Sequence, residues 1–158
     1  MPKKNEQRKY ERYDTEVKVY YFVTYDVSTK VRFQVLDKAS RKTAPQYTAV
    51  SRNVSAEGIC FSSGKELHKG DHLFLEVLLP GSTTFIPMEG EVRWCQKAEA
   101  KLGSKFDVGI KLLKVDGQSV ERSIYHDKDY QVVWSIVLES ILGNFRILEQ
   151  KRKGIIPS

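Results

Sequence analysis

Two cysteines, two methionines and five prolines are few for a chain of 158 residues. Cys60 and Cys95 cannot make a disulfide scaffold and have no partners at metal-ligand spacing, so a reduced pair in the core is expected. Long apolar runs are also missing: "LFLEVLLP" is broken by a charge and a proline well short of a membrane span. The opening "MPKKNEQRKYERY" holds no apolar segment of the kind a secretory signal needs. Together these absences predict a soluble, cytoplasmic protein with no membrane span. Histidine is equally scarce. His68 and His72 stand four apart in "HKGDH", but Gly70 between them argues against one helical metal face, and His126 stands alone. "GICFSSGKE" looks like a phosphate loop only superficially. It has five residues between its glycines, no Ser or Thr after Lys65, and no βα unit before it. No catalytic constellation stands out, so neither an enzyme nor a bound metal or cofactor is expected.

What is present describes a globular domain: 41% apolar and 29% charged residues, in a chain long enough to bury a real core. The formal charge is +6, from 26 basic and 20 acidic residues. The excess is uneven. Lys3, Lys4, Arg8, Lys9 and Arg12 crowd the start, and Lys151, Arg152 and Lys153 lie near the end. Such runs suit solvated tails, and the first also suits a phosphate-bearing partner; charge alone does not choose.

Along the middle of the chain the periodicity is that of strands. "VKVYYFVTYDV" is β-branched and aromatic, "STK" reads as a turn, and "VRFQVLD" alternates, which predicts a hairpin over Val17–Asp37. "QYTAVSRNV", "GICFSSG", "DHLFLEVLLPG", "TTFIPMEGEVRWCQKA" and "FDVGIKLLKV" supply the rest, with Pro87 expected at an edge or bulge. Short antiparallel strands with a turn about every ten residues suggest a small closed barrel or sandwich. The organisation read from the sequence is a flexible basic arm over residues 1–14, a β-barrel over 15–116, and a C-terminal helix with its tail over 117–158.

In that last segment Val133, Trp134, Val137, Leu138, Ile141, Leu142, Phe145 and Leu148 recur at three- and four-residue spacing, the mark of an amphipathic helix. Asp127 or Asp129 suits its N-cap and Gly154 its stop. About 25 residues would span roughly 37 Å. Such a helix either packs onto the barrel as part of its core or offers part of its stripe to a partner or a second copy. Trp94 is expected in the core, and Tyr10 is expected to pack the arm or to stack on a base.

Two short stretches carry the chemistry. In "RKYER", Arg8 and Arg12 lie four apart, and a guanidinium grips phosphate with a planar fork of donors while its flat face stacks on a base. In "NVSAEG", Asn53 and Ser55 offer short polar side chains to a base edge, and Gly58 permits close backbone approach or a positive φ. Arm and turn together make a nucleotide clamp.

In these two stretches, and in the later "GEVRWC" and "DVGIKLLKV", the sequence resembles the PilZ domains over about Arg8 to Val115. The resemblance implies a mainly β fold, a six-stranded antiparallel barrel, here with a C-terminal α-helix, that binds the bacterial second messenger cyclic di-GMP. It further implies that Arg8 and Arg12 hold the phosphates and stack on the guanines. Asn53, standing where many members have Asp, and Ser55 would hydrogen-bond a guanine, and Gly58 would allow the turn. Two departures stand out. The gap from Arg12 to Asn53 is long, pointing to an extended hairpin or an extended "DKASRKTAPQ" loop, and Gln7 precedes the first arginine, which leaves one or two ligands per site open.

Charged hydrogen bonds contribute about 1.5–3 kcal/mol each and base stacking about 1–3 kcal/mol. Ordering an arm costs about 1–2 kcal/mol per residue, so a net near −8 kcal/mol, a micromolar constant, is expected. The expected role is a receptor that changes conformation on binding cyclic di-GMP and signals to a protein partner. One alternative is a ligand-free adaptor using the C-terminal helix as its interface with a protein partner or in a homodimer. Another is a basic barrel binding single-stranded nucleic acid, which the lack of an aromatic-rich strand motif disfavours.

Overall fold

The computed structural model describes residues 22–98 and 105–143. In chain order the elements are β1 (Tyr25–Asp26), β2 (Lys30–Val35), β3 (Tyr47–Val54), β4 (Gly58–Ser63), β5 (His72–Leu78), β6 (Phe85–Ala98), β7 (Lys105–Val115), β8 (Gln118–Ser119), α1 (Val120–Ser123), β9 (Tyr125–Asp127), β10 (Val132–Trp134) and α2 (Ile136–Leu142). Strands β2, β3, β4, β7, β6 and β5 pair in that cyclic order, all antiparallel, and the β3–β4 and β2–β5 pairings close the ring. The fold is a closed six-stranded antiparallel β-barrel with a short C-terminal helix; the barrel is the one the resemblance implied, where the alternation by itself left barrel and sandwich open.

Period-two alternation builds it. Val31 and Phe33 on β2, Ile59 and Phe61 on β4, and Leu73, Leu75 and Val77 on β5 all point inward and are essentially inaccessible to water. Each such side chain contributes about 1.5–3 kcal/mol when fully buried. Phe33 stacks on Phe61 with ring centroids 5.1 Å apart, so β2 and β4, the two strands flanking β3, meet inside the barrel.

The expected Val17–Asp37 hairpin does not form among the described residues. β1 pairs with β3, Tyr25 opposite Val54 and Asp26 opposite Asn53, instead of folding back on β2. The cause is local. The Ser51 hydroxyl donates to the Val27 carbonyl and accepts from the Thr29 amide at 2.9 Å, and the Ser51 amide donates to the Thr29 carbonyl at 2.8 Å. These bonds hold residues 27–29 across β3 as a bend between two short partners of that strand. The long connection after β2 is ordered by Asp37, whose carboxylate accepts from the amides of Ala39 and Arg41, both at 2.9 Å. Pro87 lies within β6 opposite Glu76, one residue before β6 begins to pair with β7 at Met88, so its missing donor costs that ladder nothing.

The C-terminal segment departs most from expectation. Where helix was expected from Asp127 onward, β9 and β10 form a hairpin, with Val132 opposite Asp127 and Trp134 opposite Tyr125. Asp127 does not cap a helix; its carboxylate accepts from the amides of Asp129 and Tyr130 at 3.0 Å and makes the hairpin turn. The helix starts at Ile136 with Ser135 as N-cap and stops after Leu142 at Gly143, where φ is 97°. Its Val137, Leu138 and Ile141, with Trp134, are buried in the same core as the barrel side chains. In its described part the apolar stripe therefore faces the barrel. Phe145, Leu148 and Gly154 lie outside the described residues.

Candidate functional site

The β3–β4 turn is the origin of the site. Val54 and Ile59 face each other at its base, both buried, and leave Ser55, Ala56, Glu57 and Gly58 to cross between them. The Ser55 amide donates to the Gly58 carbonyl at 2.9 Å, and the Ser55 hydroxyl accepts from the amides of Glu57 and Gly58 at 3.3 Å. Ala56 points inward at 1% exposure, and its carbonyl accepts from the Ser135 hydroxyl at 2.6 Å. The Glu57 carbonyl accepts from the Leu112 amide at 2.8 Å. The turn is therefore tied to itself, to β7 and to the cap of α2. Gly58 is required by space and not by a positive φ: a Cβ there would lie 2.1 Å from the Ile110 carbonyl oxygen.

Register then lays a row of residues across the outside of the barrel. Asn53 opposes Cys60, Cys60 opposes Gly109, and Gly109 opposes Trp94. Cys60 faces outward between buried Ile59 and Phe61. β6 carries an extra residue, Arg93, between Val92, opposite Ile110, and Trp94, opposite Gly109. This bulge changes which face the next residues present. Val92 is buried, whereas Arg93 and Trp94 are both exposed, Trp94 at 40%. Trp94 is thus a surface residue and not the core residue expected. Its indole occupies the space a side chain at Gly109 would need, since a Cβ there would lie 2.2 Å from the Trp94 Nε1.

The result is an open cleft of about 350 Å³ into which Asn53, Ser55 and Gly58 all face, with Trp94, Arg93 and Lys111 around them. The aromatic ring offers a stacking surface, and the two cations offer donors to phosphate or to a base carbonyl. Among the described residues Glu57 is the single carboxylate on the lining. Cys60 forms part of the lining, half-buried. Burial pushes its thiol above the ordinary value, with Arg52 opposing the shift and Asp107 adding to it. Beside the cleft Arg52 pairs with Asp107 at 2.9 Å, and Asp107 also accepts from the Ser62 hydroxyl at 2.9 Å.

Of the residues expected from the sequence, Asn53, Ser55 and Gly58 meet in this cleft; Arg8, Arg12 and Tyr10 lie outside the described residues. Arg93, Lys111 and Glu57 were not singled out by sequence reasoning. Only Glu57, inside "NVSAEG", had a usable signal. Among the described residues no group of three side chains could hold a metal ion, and no helix is long and apolar enough to cross a membrane.

No curated protein matches the sequence. Among solved structures, the Bacillus subtilis inhibitor of motility (MotI/DgrA) is similar over 60% of this chain, at 22% identity and a TM-score of 0.44. That alignment spans 43% of MotI/DgrA, less than half of its length. The PilZ domain of YcgR from Escherichia coli, solved with c-di-GMP, is similar over 85% of this chain and 97% of its own, at 10% identity and a TM-score of 0.47. Residues 6–126, from the first basic cluster through every strand of the barrel, match the PilZ domain as a family, and to that family the chain belongs.

Proposed function

We propose that the protein is a non-enzymatic receptor for cyclic di-GMP, acting in the bacterial cytoplasm, that changes its surface on binding and so signals to a protein partner. The observation that carries this reading is the convergence of Asn53, Ser55 and Gly58, three residues of one short motif, on a cleft that also presents an exposed indole and two cations. The ligand's chemistry suits such a lining: two purine faces to stack, two base edges to hydrogen-bond, and two phosphates to neutralise. Membership of the PilZ family supports the same ligand. Arg8 and Arg12 are assigned to the phosphates. Thr24 lines the cleft and lies twelve positions after Arg12. Such a length reaches at most roughly 40 Å when extended, ample to return either arginine to the cleft.

Isothermal titration of the intact chain with cyclic di-GMP tests the reading. A dissociation constant near micromolar is expected, weakened at least tenfold by Arg8→Ala or Arg12→Ala. No heat from the unaltered protein at ligand concentrations up to about a millimolar, some three decades above the expected constant, refutes it.

A further inference from the structure

We propose that Glu57 is the residue by which this cleft selects guanine, its carboxylate accepting from the adjacent N1–H and N2–H donors of the base edge. The inference rests on the cyclic di-GMP reading and deepens it.

Guanine's Watson–Crick edge presents two neighbouring donors and one acceptor, so its recognition calls for a matched pair of acceptors. Few groups in the cleft have acceptor capacity to offer. The Ser55 hydroxyl already accepts from the Glu57 and Gly58 amides, which leaves it chiefly its proton to give. Arg93 and Lys111 only donate, and Asn53 supplies a single amide oxygen. Among the described lining residues Glu57 alone brings two equivalent carboxylate oxygens.

Its setting fits the task. Both backbone groups of Glu57 are fixed, the amide on Ser55 and the carbonyl on Leu112, so its Cα is held while its side chain stays exposed. Among the described residues its carboxylate makes no ion pair. A carboxylate in a cleft meant for phosphate alone would only repel the ligand. Facing a base edge it attracts the right base and rejects the wrong one, because adenine sets a lone pair at N1 where guanine sets a proton.

The experiment compares cyclic di-GMP, cyclic di-AMP and cyclic di-IMP, which lacks the exocyclic N2 amine, on the unaltered protein and on Glu57→Gln. Thermal melts should show both proteins folded, since the side chain is exposed. The unaltered protein should bind cyclic di-GMP at least tenfold more tightly than either analogue. Glu57→Gln should weaken cyclic di-GMP tenfold or more, leave cyclic di-AMP unchanged or tighter, and shrink the gap between cyclic di-GMP and cyclic di-IMP. Unchanged selectivity and affinity within twofold overturn the proposal while leaving the receptor reading intact. Equal tightening of all three ligands also overturns it, since Glu57 would then act as a repelling charge only. Failure of the unaltered protein to bind any of the three overturns both readings.

Discussion

Replacing Gly58 by alanine perturbs the barrel where two backbones come closest. The added Cβ would sit 2.1 Å from the Ile110 carbonyl oxygen and 3.3 Å from its carbon. Both contacts are main chain, so no rotamer change relieves them, and β4 must move away from β7 by about an ångström to restore ordinary packing. The movement strains the Gly58–Lys111 register and the Leu112 amide's bond to the Glu57 carbonyl. Overpacking costs about 1–3 kcal/mol, and a weakened buried hydrogen bond adds about 1 kcal/mol, for a total of about 3 kcal/mol. A domain stable by about 5–15 kcal/mol survives that loss. At about 2–4 °C per kcal/mol for a chain of this size, the midpoint of thermal unfolding should fall by about 6–12 °C. Gly64, just past the end of β4, is the internal control: nothing lies within 4 Å of a Cβ there, and Gly64→Ala should leave the midpoint within about 2 °C. Calorimetric or circular-dichroism melts of the two variants decide the matter. Equal midpoints for Gly58→Ala, Gly64→Ala and the unaltered protein would refute the claim that close approach is why residue 58 is glycine.

Three further outcomes follow from the same geometry. Gly109→Ala drives out a side chain and not a backbone, so it should cost only about 1 kcal/mol of stability; it should weaken cyclic di-GMP about tenfold or more through loss of the Trp94 face, and titration with unchanged affinity would count against Trp94 as a stacking surface. Ser135→Ala removes the donor to the buried Ala56 carbonyl and the cap of Val137 together; urea unfolding should show a loss of about 2–4 kcal/mol, and a loss under about 0.5 kcal/mol contradicts the assignment. The raised pKa of Cys60 means that the folded state holds its thiol proton more tightly than the unfolded chain does. Its contribution to stability is therefore complete below the unfolded value and lost as pH rises through the folded one; with Cys95→Ser in place, the alkylation rate should reach half-maximum above the pH of a free thiol, about 8.5, and a midpoint below that fails the prediction.

How much was legible in advance differs between elements for physical reasons. The strands that close the barrel are readable where each buries one face, and burial of Val31 and Phe33 between Lys30, Arg32 and Gln34 leaves a period of two. Which strand pairs with which leaves no such trace. Alternation suggests a hairpin of β1 with β2 because it cannot reveal that the Ser51 hydroxyl bends residues 27–29 across β3. At the C-terminus, Val132, Val133 and Trp134 are three consecutive buried residues in a strand, and their spacing to Val137 and Leu138 is also satisfied by a helix. Ser135, an N-cap residue in plain view, was the better signal. At the site, Asn53, Ser55 and Gly58 stand out in the sequence because short polar residues and a glycine mark a turn before a strand and because the stretch resembles the family's motif; the cleft they line is visible only once β4, β6 and β7 are paired. The exposure of Trp94 is not legible in the sequence because the extra residue Arg93 reverses inside and outside, and a bulge arises from the pairing of two strands and not from either alone.

Five backbone groups of the turn have hydrogen-bond partners within the protein. The amides of Ser55, Glu57 and Gly58 are satisfied within the turn, the carbonyl of Ala56 by Ser135 and that of Glu57 by Leu112. A segment with those five groups satisfied in the free protein is already shaped, so a ligand meeting Asn53, Ser55 and Glu57 there finds little backbone entropy left to remove. One of those ties comes from Ser135, 79 positions further along the chain, whose hydroxyl also caps α2. The Ser135 hydroxyl thus joins one tie of the turn to the cap of the C-terminal helix. A change at either end of that bond must alter the other, and the asymmetry is informative. Loss of the helix cap should loosen the turn and weaken ligand binding even though Ser135 is fully buried and outside the cleft. Loss of a cleft side chain such as Asn53, which makes none of these ties, should leave α2 seated.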